Sequence, residues 1–174
     1  MHAGGLWIGP PWAPPPADEL TVVVDPGRAF GTGAHPTTRA CIELLARLER
    51  GSLLDAGCGS GVLAVAAARL GFAPVFAVDS DPVAVAVCAD TALSNGVDVQ
   101  VAAADVLRDE LPRTDIAVAN IELAVVETLL ARVPARTAVT SGYLESEVPR
   151  VPGWKPLDRL ELEGWAADVL ARRH

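Results

Sequence analysis

Lysine is almost missing from this chain: the fourteen basic residues among its 174 include only Lys155, and the arginines form no basic stripe. A nucleic-acid-binding surface normally carries such a stripe, so the composition argues against direct binding of nucleic acid. The net charge of −8 would suit a basic partner, for instance a lysine-bearing protein, through electrostatic steering. It could also do no more than keep the protein soluble, and charge alone favours that simpler interpretation.

Three further shortages narrow the class of protein. No apolar run is long enough to cross a bilayer, and the N-terminus lacks the basic and apolar regions of a signal peptide. Cys41, Cys58 and Cys88 form no C-x-x-C pair, which favours free thiols in the cytoplasm. The three histidines are scattered, so we expect no metal site and no membrane attachment, and the length suits one domain with its own core.

The glycine-rich stretch 53–63 organises the chain. Gly57, Gly59 and Gly61 follow two leucines and Asp55, and an alanine-rich segment comes directly after them. This order predicts a buried strand, a tight turn and a helix whose first amide groups face a ligand. The spacing G-x-G-x-G is not the G-x-G-x-x-G of dinucleotide-binding proteins. The form D-x-G-x-G-x-G resembles the first motif of Rossmann-like S-adenosylmethionine (SAM) methyltransferases, although a purely structural turn could read the same way.

The next predicted strand ends in two aspartates with different roles. The apolar segment 74–79 ends in Asp79, eighteen residues after Gly61. In a βαβ unit this acid would lie beside the glycine turn, where a carboxylate can accept the protons of ribose hydroxyls. Asp81 precedes Pro82, the arrangement of a helix N-cap followed by proline at the first helical position. We therefore assign the ligand to Asp79 and mainly the cap to Asp81.

Two more polar residues follow predicted strands toward the same crevice. Asp105 comes just after the strand predicted for 97–103, and it could contact adenine, as acids there often do in SAM enzymes, or cap a turn. Asn120 lies at the end of the apolar strand predicted for 115–121. An amide at the end of an apolar strand needs hydrogen-bond partners or exposure to water, so Asn120 is a candidate site residue.

The loop before the first predicted helix carries the most specific pattern. It reads F-G-T-G-x-H-P-T-T from Phe30 to Thr38, ahead of a helix predicted for 39–50 that Thr37 or Thr38 could cap. Together with the glycine turn, this loop resembles the PrmA-type family, methyltransferases of a large-subunit ribosomal protein. The resemblance extends to the patterns V-D-S-D-P, V-A-N-I and S-G and to a G-W turn near the end, and it covers roughly residues 7–174.

Several roles follow from the resemblance alone. It implies SAM as cofactor, Asn120 facing the methyl-accepting amine, and Phe30 with the segment Gly31–Gly33 closing over the methyl group. His35 is a candidate base or a structural residue of its loop. Glu122 departs from the apolar residue usual in the family and puts a charge near the acceptor. The predicted catalytic residues are Asn120, Phe30 and His35, and the predicted cofactor-binding residues are Thr38, Gly57, Gly59, Gly61, Asp79, Asp105 and Asn120.

The predicted fold is α/β, a Rossmann-like SAM-dependent methyltransferase fold with a seven-stranded, mostly parallel sheet and a C-terminal antiparallel hairpin. The resemblance implies the strand order 3-2-1-4-5-7-6. We expect a Trp/Pro-rich extension over 1–20 and the methyltransferase domain over 21–174. We also expect a short helix within 143–152 and Trp165 in the core.

The predicted activity is methyl transfer from SAM to a lysine or N-terminal amine of a basic protein, possibly a ribosomal protein. PrmA-type enzymes carry an N-terminal recognition domain that has no counterpart in the sequence, so we expect weak activity on the isolated ribosomal protein. Three alternatives stay open. They are another protein or small amine as acceptor, a non-catalytic module that binds a partner, and a nicotinamide-dependent oxidoreductase, which the glycine spacing disfavours.

Overall fold

A small sheet precedes the first helix in the computed structural model, which describes residues 1–13, 15–27 and 34–173. Its strands are β1 (His2–Ala3), β2 (Leu6–Gly9) and β3 (Leu20–Val23). Strand β1 pairs antiparallel with β2, and β2 pairs parallel with β3. Leu6, Ile8 and Val22 are buried in one apolar cluster together with side chains of the helices and the main sheet. The first twenty residues thus contribute to the core of the domain.

Seven further strands form the main sheet. They are β4 (Leu53–Ala56), β5 (Val75–Asp79), β6 (Gln100–Ala103), β7 (Ile116–Asn120), β8 (Thr137–Leu144), β9 (Trp154–Leu162) and β10 (Trp165–Arg172). Five run parallel in the order β6-β5-β4-β7-β8, and β10 lies antiparallel between β8 and β9. Counted from the first strand of this sheet, the order is 3-2-1-4-5-7-6. The predicted fold class and strand order are confirmed.

Four helices of the described residues cover this sheet: α1 (Pro36–Arg47), α2 (Val62–Arg69), α3 (Pro82–Ser94) and α4 (Leu123–Arg132). The first three share an apolar cluster with the small sheet, and α4 belongs to a second cluster on the other face. Leu53 and Leu54 show how β4 serves both faces, since they are neighbours in sequence, both fully buried, and members of different clusters. A parallel sheet covered on both faces requires such continuous apolar runs.

The helix caps confirm one prediction and correct another. Asp81 caps α3, and its Oδ1 accepts a backbone N–H at 2.8 Å, as predicted. The cap of α1 is His35 instead of Thr37 or Thr38, with Nδ1 accepting the Thr37 N–H at 3.4 Å. Pro36 takes the first helical position, where its missing N–H costs nothing, and this places the cap one residue before it.

The predicted short helix within 143–152 is wrong. Strand β8 continues to Leu144, which pairs with Trp165 at the start of β10, and a turn and irregular chain follow. The prolines at 149 and 152 lack the N–H that a helix there would need. The expectation that Trp165 lies in the core is also wrong, because its side chain is half-buried at a cleft.

Candidate active site

A cleft of about 1100 Å³ lies at the carboxyl ends of β4, β5 and β7. Open α/β sheets bind ligands at this edge, where neighbouring strands connect in opposite directions along the sheet. The cleft brings together most of the predicted site residues from five different elements. Its polar lining side chains include His35, Thr37, Thr38, Asp79, Asp105, Asn120 and Glu122.

The glycine turn after β4 is tied to the end of β5. The N–H of Gly57 donates to the carbonyl of Val78 at 2.9 Å, and the N–H of Gly59 donates to Asp79 Oδ2 at 3.0 Å. Gly57 and Gly59 line the cleft, whereas Gly61 lies outside the lining and caps α2. Gly61 has a φ of 82°, and a Cβ there would lie 2.7 Å from Cys88 Sγ, so this position requires glycine for the packing of α2 against α3.

Asp79 connects the glycine turn to the start of α3. Its Oδ2 accepts the Gly59 N–H, and its Oδ1 accepts the Asp81 N–H at 3.0 Å. A carboxylate has about four acceptor positions, so each oxygen keeps one for a ligand. Asp79 is half-buried and lines the cleft, while Asp81 lies outside the lining. The geometry therefore gives the two aspartates separate positions.

Asp105 lines the cleft and also fixes its own turn. Its Oδ1 accepts the Leu107 N–H at 2.9 Å, and its Oδ2 lies 3.6 Å from the guanidinium of Arg108. Its own N–H donates to Asp109 Oδ2 at 2.7 Å. The two interpretations left open by the sequence, a contact in the crevice and a turn cap, are compatible in this arrangement.

A hydrogen bond within the cleft joins the end of β7 to the first turn of α1. Asn120 Nδ2 donates to Thr38 Oγ1 at 3.3 Å, and Thr38 is only 2% exposed. Bonding through the amide nitrogen leaves Asn120 Oδ1 able to accept an N–H from a ligand. The adjacent turn is packed closely, since a Cβ on Gly142 would lie 2.3 Å from the carbonyl oxygen of Ile121. Sequence reasoning did not assign this role to Gly142, although the S-G pattern contains it.

Two rings meet at the cleft. The His35 and Trp165 ring centroids are 4.9 Å apart at an interplanar angle of 72°, and both residues line the cleft. His35 is exposed, and its Nδ1 is occupied by Thr37 in the helix cap, which leaves Nε2 for a ligand. Trp165 is a site residue that the sequence reasoning missed, although the G-W turn marked it. Phe30 and the segment Gly31–Gly33 lie outside the described residues.

Behind the glycine turn lies a buried carboxyl group. Asp55 is 1% exposed; its Oδ2 accepts the Ala64 N–H at 3.0 Å, and its Oδ1 has no hydrogen-bond partner among the described residues. Burial raises the pKa of Asp55 to about 7, the Ala64 N–H partly opposes this, and the charge of Asp79 adds to it. A hydrogen bond with Cys88, together with burial, raises the pKa of Cys58 well above its ordinary value.

A metal-binding cluster and a membrane span are both absent from the part of the chain that the structure describes. No three His, Cys, Asp or Glu side chains there lie close enough together to hold a metal ion. None of the described helices combines the length and the apolar character that crossing a bilayer demands.

The sheet order, the glycine turn and the acid after the second strand of the sheet together define a Rossmann-like methyltransferase domain. A profile of the family described as ribosomal protein L11 methyltransferase (PrmA) matches residues 1–166. The chain belongs to this family, as the loop and glycine motifs predicted.

Named relatives agree with this membership. The ribosomal protein L11 methyltransferase of Nitrosococcus oceani is 39% identical over 154 residues, which cover 84% of this chain and 53% of the relative. That of Neisseria meningitidis serogroup A is 42% identical over 176 residues, covering 92% and 58%. The solved ribosomal protein L11 methylase of Lactobacillus delbrueckii subsp. bulgaricus has a TM-score of 0.80 and 25% identity, covering 98% of this chain and 96% of that one. The chain spans just over half the length of the curated relatives it matches.

Proposed function

We propose that this chain is a SAM-dependent N-methyltransferase domain that acts on amino groups of a protein, either lysine side chains or an N-terminus. The proposed substrate is the ribosomal protein L11 for which its relatives are named. The observation that carries the proposal is the hydrogen bond from Asn120 to Thr38. This bond uses the amide nitrogen and leaves the amide oxygen of Asn120 able to accept from an amine in the cleft at the carboxyl ends of the strands. A cytoplasmic location fits the three buried free cysteines.

The residues present suit SAM. When bound, SAM supplies an electrophilic methyl group on a positively charged sulfur. Asp79 would accept ribose hydroxyl protons with the lone pairs that its two backbone partners leave. Gly57 and Gly59 would lie against the ligand at the start of α2, and Asp105 would accept from the adenine amino group. The cleft volume of about 1100 Å³ is sufficient for a nucleoside-sized ligand together with an acceptor side chain.

Asn120 would position the acceptor. Its Oδ1 accepts an N–H of the amine and aligns the nitrogen lone pair with the methyl group, so that catalysis rests mainly on positioning. A lysine amine with a solution pKa of about 10.4 must first lose its proton, and removal from water favours the neutral form. Because His35 Nδ1 accepts the Thr37 N–H, a neutral His35 carries its own hydrogen on Nε2, so this nitrogen could donate to a ligand but not receive the amine proton, which would pass to water.

Two alanine variants, Asn120→Ala and Asp79→Ala, test the proposal, because they should affect methyl transfer and SAM binding differently. Asn120→Ala should keep SAM affinity but lower methyl transfer by about 100-fold, because the amine is no longer oriented. Asp79→Ala should weaken SAM binding by about 1.5–3 kcal/mol for each charge-assisted bond lost. Calorimetric titration with SAM and incorporation of labelled methyl groups into purified L11 measure the two effects. Near wild-type turnover in Asn120→Ala would refute the role of Asn120.

A further inference from the structure

We propose that Glu122 determines which acceptors the cleft takes, by holding the amine as an ammonium ion before it is methylated. This inference rests on the proposed function of the cleft and adds the charged form of the amine as the feature that is recognised. It concerns one carboxylate two residues after Asn120, at the start of α4.

Glu122 starts α4 without using its side chain. Its backbone carbonyl accepts the N–H groups of Val125 and Val126, both at 3.0 Å, whereas the carboxylate makes no capping bond. Serine, threonine, aspartate and asparagine at this position commonly bind a backbone N–H of the first turn, and the longer glutamate side chain does not do so here. Within residues 1–13, 15–27 and 34–173 the Glu122 carboxylate has neither a hydrogen bond nor an ion pair. It is therefore available to a ligand.

Close packing fixes the backbone from which this side chain extends. A Cβ on Gly57 would lie 2.9 Å from Ile121 Cγ2, and one on Gly142 would lie 2.3 Å from the Ile121 carbonyl oxygen. Ile121 is thus held between the glycine turn and β8. Asn120 and Glu122 flank it, and both line the cleft. The proposal places the amine that Asn120 orients between these two side chains.

The charges of the cleft point to a cation. Its described lining contains three carboxylates, one histidine (His35) and neither lysine nor arginine, and Arg108 pairs with Asp105 from outside the lining. Asp79 and Asp105 both accept backbone N–H bonds, and both are assigned to the cofactor. Glu122 is the carboxylate of the three that is left for the acceptor. Opposite charge therefore selects an ammonium ion at this position.

Glu122 should favour binding of the acceptor but oppose the loss of its proton, which must precede methyl transfer. An exposed pair of this kind contributes about two- to fivefold in affinity at low salt, and added salt screens it. A neighbouring carboxylate also stabilises the charged amine, so the bound amine loses its proton at a higher pH. Glu122 should lower KM and move the rise of kcat with pH to higher pH.

A binding experiment isolates the proposal from turnover. N-acetyl-lysine amide and N-acetyl-norleucine amide are titrated by NMR into the protein loaded with S-adenosylhomocysteine, at low and at high salt. Wild type is compared with Glu122→Gln and with Glu49→Gln, an exposed glutamate beyond the end of α1 and outside the cleft lining. At low salt, wild type and Glu49→Gln should bind the lysine compound about two- to fivefold more tightly, and Glu122→Gln should show no preference.

Kinetics with L11 supply a second readout. Glu122→Gln should raise KM about two- to fivefold and shift the pH midpoint of kcat downward, effects that a purely structural role would not produce. A lysine preference that persists in Glu122→Gln, or that is absent from wild type at low salt, overturns the inference. Absence of methyl transfer from wild type with the lysine preference intact would contradict the proposed function instead.

Discussion

Asp55 should give the stability of this protein an unusual pH dependence. Its pKa is about 7 in the fold, mainly because it is buried, against 3.8 for an exposed aspartate. Between these values the folded state holds a proton that the unfolded chain has lost. The contribution of Asp55 is therefore complete below about pH 4 and falls by up to about 1.4 kcal/mol per pH unit until about pH 7.

Asp55→Asn tests this by replacing the carboxyl group with an amide of the same shape that can still accept the Ala64 N–H. Its free energy of unfolding relative to wild type should rise from about pH 4 to about pH 7 and then level off, because the amide does not ionise. Urea unfolding across this range measures it, with Asp98→Asn, an exposed aspartate, as the control. If the free energies of unfolding of wild type and Asp55→Asn changed with pH in parallel, the raised pKa of Asp55 would be refuted.

Single residues were predictable where a local pattern determined their position. The proline after Asp81 identified that aspartate as a cap, and the cap is confirmed. The same rule would have placed His35 before Pro36, but the two threonines that follow are more familiar caps. The cleft position of Trp165 depends on pairing between distant strands, which no local pattern contains.

Among the turns and strands, Gly142 is the position where one methyl group should matter most. Gly142 and Gly153 have positive φ angles of 104° and 84°, so alanine strains the backbone at both. A Cβ meets nothing within 4 Å at Gly153 but lies 2.3 Å from a backbone oxygen at Gly142. Gly153→Ala should cost about 1 kcal/mol, and Gly142→Ala about 1–3 kcal/mol more.

Gly142→Ala should also affect activity. The added Cβ would press against the backbone of Ile121, which directly follows Asn120 at the end of β7. Methyl transfer to L11 should fall in Gly142→Ala and stay unchanged in Gly153→Ala. Urea unfolding and labelled-methyl incorporation measure the two effects. Equal stability and equal activity of the two variants would show that the turn can relax without consequence.

Strands β5 and β7 were predictable because each is an apolar run that ends in a polar residue. Strand β4 was predictable because its two leucines lead into the glycine turn. Their order came from the resemblance and not from the pattern, since pairing of distant strands is not encoded locally. The short helix predicted within 143–152 failed for the same reason: Leu144 belongs to a strand only because it pairs with Trp165.

For the molecule as a whole, the small N-terminal sheet should fold and unfold with the rest. Leu6 in β2 is completely buried in the cluster that includes α1 and α2, whereas Leu93 in α3 is 80% exposed. Leu6→Ala should lower the free energy of unfolding by about 2–5 kcal/mol, and Leu93→Ala by less than about 0.5 kcal/mol.

Circular dichroism and tryptophan fluorescence should report one coincident transition in both leucine variants, because the small sheet and the main sheet share a core. Two separate transitions, or equal stabilities of the variants, would mean that residues 1–20 form an extension with independent stability. The sequence predicts a Trp/Pro-rich extension over residues 1–20 but does not predict β1, a strand of two residues whose partner is β2.

The two carboxylate oxygens of Asp79 serve both folding and the proposed function. Each accepts a backbone N–H, and each is also proposed to accept a ribose hydroxyl, so selection for either role acts on the same atoms. Asparagine at this position would turn one acceptor toward an N–H into a donor, and glutamate is one methylene too long for both bonds. A descendant that stopped transferring methyl groups would still need this aspartate to hold its glycine turn against α3. Asn120, with its one side-chain bond to Thr38, is under no such double constraint. In a lineage that drifts toward inactivity, position 120 would therefore change first, and it is the better marker of an active enzyme.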